Sequence, residues 1–140
     1  MKLRSEILAL AVVFLSITGR SEDLSTNARG RQFIGFDSFD GFTTTAGPAP
    51  GQMVLTSPEI SSRIRFTEVV VSWNAGLSTD AFLVVEARAV YPGRATKYYN
   101  LGTWTRDLAP HPRQSEPGQK DTDGDVATDV LKLMLPAKGL

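Results

Sequence analysis

The sequence predicts an all-β chain: an antiparallel β-sandwich, jelly-roll-like, preceded by a signal-peptide helix. Three observations predict it. Short runs of β-branched and aromatic residues alternate with polar ones at a period of two. These runs are separated by turns that use 12 glycines and 8 prolines in 140 residues, too many breakers for long helices. Beyond residue 21 no segment keeps a helical period. With 41% apolar residues the chain can form a packed core, and its length fits one domain.

The elements follow in chain order. Residues 1–21 read as an export signal. Lys2 and Arg4 supply the positive flank, and residues 7–17 (ILALAVVFLSI) are an apolar run of eleven. A membrane span needs about 20 such residues. The expectation is therefore a secreted protein with no stable membrane insertion after signal cleavage. Residues 22–31 (EDLSTNARGR) are polar and aperiodic, a flexible lead-in. The β-sandwich domain then covers 32–137. Phe33, Ile34, Phe36, Phe39 and Phe42 open it, and residues 43–51 (TTTAGPAPG) read as a turn-rich loop. Residues 53–56 form a short strand stopped by Pro58.

Residues 66–73 alternate, with Thr67, Val69, Val71 and Trp73 on the heavier, buried face. A loop at 74–80 leads into the longest expected strand, 82–91, where Leu83, Val85, Ala87, Ala89 and Tyr91 alternate against Glu86 and Arg88. Pro92-Gly93 is a tight-turn dipeptide, so 97–101 should return antiparallel to that strand. A further strand at 103–106, a charged loop at 107–125 and a last strand at 126–135, closed by Pro136, complete the reading.

Charge narrows the function classes. Lys plus Arg balance Asp plus Glu at 15 each. Losing the signal removes Lys2, Arg4 and Arg20 but only Glu6, which leaves 12 basic and 14 acidic groups and a net charge of −2. Such a chain lacks the clustered basic surface that nucleic acid requires, so no nucleic-acid partner is expected. The absence of cysteine excludes a disulfide framework, a thiolate metal site and a cysteine nucleophile within this chain.

Three groups of residues bear on chemistry. Asp121, Asp123, Asp125 and Asp129 put carboxylates at i, i+2 and i+4 in a Gly-containing loop, the way hard cations collect oxygen ligands. The loop is not an EF-hand: Gly124 falls at position four and Lys132 stands where the bidentate Glu belongs. Two readings stand: a structural calcium, or a turn whose carboxylates cap backbone N–H groups. No other cofactor is expected. Tyr98, Tyr99 and Trp104 are candidates for a ligand-binding platform. Adjacent Tyr98 and Tyr99 must face opposite sides of a strand, so one of them is exposed. His111, between Pro110 and Pro112, has no nucleophile elbow to serve. Ser115 and Asp107 do not make a triad with it on sequence grounds, and no catalytic residue is assigned.

Four segments, read together, resemble a known module: SWNAG at 72–76, VEARAVYPGR at 85–94, YYNLGTW at 98–104 and RQSEPGQKDTDGDVATDVLKL at 113–133. In order and spacing they are similar to the β-rich domain that precedes the catalytic domain of secreted bacterial C39-like (papain-like) cysteine peptidases. The likeness runs from about residue 33 to 137. It departs where that family usually carries a Trp, at Tyr98, and a bulky aromatic, near Ala95. The resemblance implies a fold and an accessory role; the papain-like domain with the active-site Cys and His is not in this sequence. The expected function is a secreted, non-catalytic accessory or binding module with an unknown protein, peptide or glycan ligand. The alternatives are a truncated fragment of a C39-like peptidase and a stand-alone carbohydrate-binding module.

Overall fold

β-branched and aromatic side chains suit a pleated, half-buried surface, and their runs become nine strands in the computed structural model, which describes residues 30–109 and 115–140. The signal segment, nearly all of the lead-in and His111 lie outside the described residues. In chain order the strands are β1 (Thr43–Ala46), β2 (Met53–Thr56), β3 (Ser61–Val70), β4 (Phe82–Ala87), β5 (Val90–Tyr91), β6 (Arg94–Ala95), β7 (Tyr99–Thr105), β8 (Gly124–Ala127) and β9 (Val130–Gly139). All pairings are antiparallel, and no helix occurs among the described residues. The chain is all-β.

One sheet runs β3-β9-β5-β6, with β8 also paired to β9; β4 and β7 form a ribbon, and β1 and β2 a hairpin. The core lies where the ribbon meets the larger sheet. Ala87, Ala89, Tyr99 and Leu101 pack with Leu131, Leu133 and Ala137 of β9. Leu101 and Leu131 are fully buried, and each contributes about 1.5–3 kcal/mol by leaving water. Thr96, also buried, donates its N–H to the Ala89 carbonyl at 2.9 Å and accepts the Ala89 N–H on its hydroxyl at 3.0 Å, which ties the chain after β6 back to the residue before β5.

Several expected elements are redrawn. The stretch 43–51 is only partly loop: Thr43–Thr45 are β-branched and pair with β2, so the turn shrinks to 47–51. The face assigned to 66–73 slips in part. It holds for Val69 and Val71, which pack against the core; the β3–β9 register shift between Phe66 and Glu68 adds Phe66 to that side and leaves Thr67 exposed. The strand ends at Val70, so Trp73 is half-buried beyond it rather than on a strand face. The expected strand 82–91 keeps its alternating burial from Phe82 to Val90. It divides into β4 and β5 because its partners change from β7 to β9.

The returning strands 97–101 and 103–106 are one strand, β7, with Ala87 opposite Tyr99 and Phe82 opposite Thr105. The last strand is instead a hairpin. β8 and β9 meet at a two-residue turn whose Thr128 has φ 64°, a left-handed conformation that β-branched residues adopt at a cost. β9 continues through Pro136. The missing N–H does no harm there, because Pro136 lies in the irregular stretch between the Lys132 and Ala137 pairings.

Candidate functional site

Tyr99 opens β7, Tyr98 stands just before it, and the two point to opposite sides. Tyr99 is 0% exposed and Tyr98 is 38% exposed. On the Tyr99 side lies the acidic loop. The Tyr99 hydroxyl donates to Asp121 Oδ1 at 2.6 Å, and the same oxygen accepts the backbone N–H of Asp123 at 2.8 Å and of Gly124 at 3.0 Å. Lys97 Nζ sits 3.0 Å from Asp121 Oδ2, reaches the Gln119 carbonyl and lies over the Tyr99 ring. The loop closes on itself through Asp121 N–H to Gly124 C=O, 2.9 Å. Gly124 is required by close approach: a Cβ there would stand 2.7 Å from the Lys132 carbonyl and 3.2 Å from the Tyr99 hydroxyl.

Electrostatics follows from this geometry. Burial alone pushes the Asp121 carboxyl up, but the bonds from Tyr99, Lys97 and the two backbone amides outweigh it and hold the group well below the usual carboxylate range. Burial, the hydrogen bond to Asp121 and the negative charge nearby push the Tyr99 hydroxyl far above the ordinary tyrosine range. Tyr91 is also raised, first by burial, against the opposing Arg94.

The four acidic residues are not brought to one point. Asp121 is the hub, Asp123 pairs with Arg94 at 2.8 Å, Asp125 Oδ1 accepts the Val126 N–H at 2.8 Å, and Asp129 is exposed in the β8–β9 turn. Among the described residues no group of three or more His, Asp or Glu is placed to hold one metal ion. The carboxylates of Asp121 and Asp125 cap backbone amides.

The aromatic candidates also separate. Tyr99 belongs to the core, and that burial removes it from any binding surface. Trp104 is half-buried on β7 opposite Leu83. Tyr98 faces outward with the Arg88 guanidinium 4.6 Å from its ring centre. Of the residues weighed for a triad, Ser115 is exposed and Asp107 Oδ1 caps the Ala109 N–H.

Tyr98 and Arg88 border a cleft of about 120 Å³ with Glu59, Val90, Ala95 and Leu140. A second cleft, about 360 Å³, adjoins it and shares Glu59 and Val90; Ser61, Tyr91, Pro92 and Lys138 also line it. Sequence reading missed this pair of clefts, and it missed Lys97, Arg94 and Gln119 as partners of the acidic loop. Gln119 acts as a side-chain strand for β7: its Oε1 accepts the Asn100 N–H at 2.6 Å, and its Nε2 donates to the Asn100 carbonyl at 2.7 Å. The only available signal was its place in the G-Q-x-D-x-D-G block.

The family model described as the Peptidase C39 N-terminal domain covers residues 18–139. No curated protein and no solved structure matches the chain.

Proposed function

Because the chain belongs to the Peptidase C39 N-terminal domain family, we propose that it is an exported, non-catalytic accessory module that engages a polypeptide partner in a C39-type peptidase system. The observation that carries the reading is the match itself: it spans nearly all of a chain without a single cysteine. A cysteine peptidase needs a thiolate nucleophile. This chain supplies none, so its contribution to such a system is recognition or positioning. The short apolar run at 7–17 behind Lys2 and Arg4 supports export.

The test uses the purified mature chain and a separately produced papain-like C39 catalytic domain. The chain alone should leave peptide and ester substrates intact, and titration calorimetry should detect its association with the catalytic domain. Turnover by the chain alone that survives repurification overturns the non-catalytic reading. Absence of association, with both proteins folded, overturns the partner. Retention of the chain on insoluble polysaccharide, in place of association, would favour a carbohydrate-binding module.

A further inference from the structure

The strand register lays one row of small residues across four strands. Ser61 of β3 stands opposite Gly139 of β9, Gly139 opposite Val90 of β5, and Val90 opposite Ala95 of β6. Three of these four side chains are no larger than Ser, so the row forms the floor of a trough. The two clefts are its halves, joined at Glu59 and Val90. The glycine is enforced: a Cβ at Gly139 would lie 2.8 Å from the Glu59 carboxylate and 3.1 Å from Val90 Cβ.

The banks of the trough carry charge that the rest of the fold leaves unbalanced. Arg88 stacks on Tyr98 but makes no ion pair among the described residues, and Lys138 makes neither hydrogen bond nor ion pair there. Glu59, which lines both halves, has a partner of its own. Two cations without a counter-ion among the described residues therefore line the trough, one bordering each half. Two cations of the neighbouring loop are paired instead, Arg94 with Asp123 and Lys97 with Asp121.

We propose that this trough binds an extended acidic peptide segment, whose carboxylates reach Arg88 and Lys138 while its backbone lies over the Ser61–Gly139–Val90–Ala95 row. The inference rests on the polypeptide-partner reading and names its site. A volume of about 360 Å³ in the larger half is at the low end for ligand sites, so it accepts a few residues and not a folded domain. A peptide fits better than a glycan because sugars stack on open aromatic faces. Here Arg88 lies over the Tyr98 ring, and Arg94 lies over Tyr91 at 4.6 Å.

The probe is a fluorescein-labelled octapeptide of alternating Glu and Leu, which in an extended chain presents its carboxylates on one side. A Lys-Leu octapeptide and labelled oligogalacturonate run in parallel against the mature protein, by fluorescence anisotropy. The Glu-Leu peptide should bind saturably and weaken with added salt. The R88A/K138A variant should lose at least about tenfold in affinity, the loss of roughly one charge-assisted contact. The variant should keep the parental melting temperature, because Arg88 and Lys138 serve no contact of the core. Equal binding by the variant, or no saturation by the Glu-Leu peptide, overturns the proposal. Oligogalacturonate binding in its place assigns the trough to an acidic glycan. Failure here leaves association with the catalytic domain to its own titration, since that measurement reads any surface of the module.

Discussion

Tyr98 and Tyr99 are neighbours in the chain and opposites in the fold, and so are the two regions they enter. Each ring lies beneath a cation, Arg88 for Tyr98 and Lys97 for Tyr99. Behind Tyr99 the cation finds a carboxylate, the carboxylate finds the phenol and two backbone amides, and every buried side-chain polar atom among the described residues has a partner. Behind Tyr98 the cation finds an aromatic ring and a trough. The same residue types thus build a closed corner on one side of β7 and an open one on the other. The difference is one of saturation: a satisfied network fixes structure, whereas unbalanced charge beside a trough is what a ligand can use.

Stability measurements should split the two regions most sharply. Asp121→Ala strips the Tyr99 hydroxyl and the Asp123 and Gly124 amides of their acceptor, and the expected cost is about 2–3 kcal/mol in urea unfolding. Arg88→Ala removes a surface stack and should stay within about 0.5 kcal/mol of the parent. Equal losses in the two variants would break the comparison, because they would make the Tyr98 side structural as well.

The pH dependence sharpens it further. Asp121 is more acidic in the folded state than in the unfolded chain, so its stabilisation is complete above the ordinary carboxylate range. It is lost as pH falls from there towards the folded value. Tyr99 shifts the other way. Its contribution is complete below the ordinary tyrosine pKa near 10 and is lost as pH rises through the folded value. Stability should therefore fall at both extremes, with the acid limb flattened in Asp121→Asn and the alkaline limb flattened in Tyr99→Phe. Spectrophotometric titration at 295 nm should show one of the three tyrosines ionising only as the protein unfolds. A parent and an Asp121→Asn variant with superimposable acid limbs would remove Asp121 from the centre of the corner.

Much of this fold is legible in the sequence where information is local. The bounds of β2, the alternating burial from Phe82 to Val90 and the opposed pair Tyr98 and Tyr99 follow from a period of two. The capped acidic turn follows from short-range Asp chemistry. What was not legible depends on pairing. The bulge after Phe66 brings Phe66 onto the side of Val69 and Val71 and turns Thr67 out without changing the composition of the strand, and Pro136 is harmless only because the register slips around it. Lys97 and Asp121 are 24 residues apart and have no pattern in common. The trough is less legible still, since its floor comes from β3, β5, β6 and β9 and exists only once Gly139 sits between Ser61 and Val90.

Calcium is the finest probe of the closed corner, because the same four aspartates admit two accounts that differ in one observable. If the loop held calcium, a hundredfold excess over the dissociation constant would stabilise the fold by about 2.7 kcal/mol through mass action, a clear rise in melting temperature. The geometry opposes it. Asp121 directs both oxygens at protein donors, Asp123 is paired with Arg94, and Asp125 turns to its neighbour's amide. A cation would have to break the Lys97 and Arg94 pairs before it gained any ligand from them. We therefore expect the melting temperature in millimolar calcium to match that in EDTA, for the parent and for Asp123→Ala alike. Asp123→Ala should itself cost under about 1 kcal/mol, since it loses one exposed ion pair. A calcium-dependent rise in the parent that disappears in Asp123→Ala would mean that the loop opens to admit an ion, and the corner would then be closed only when calcium is absent.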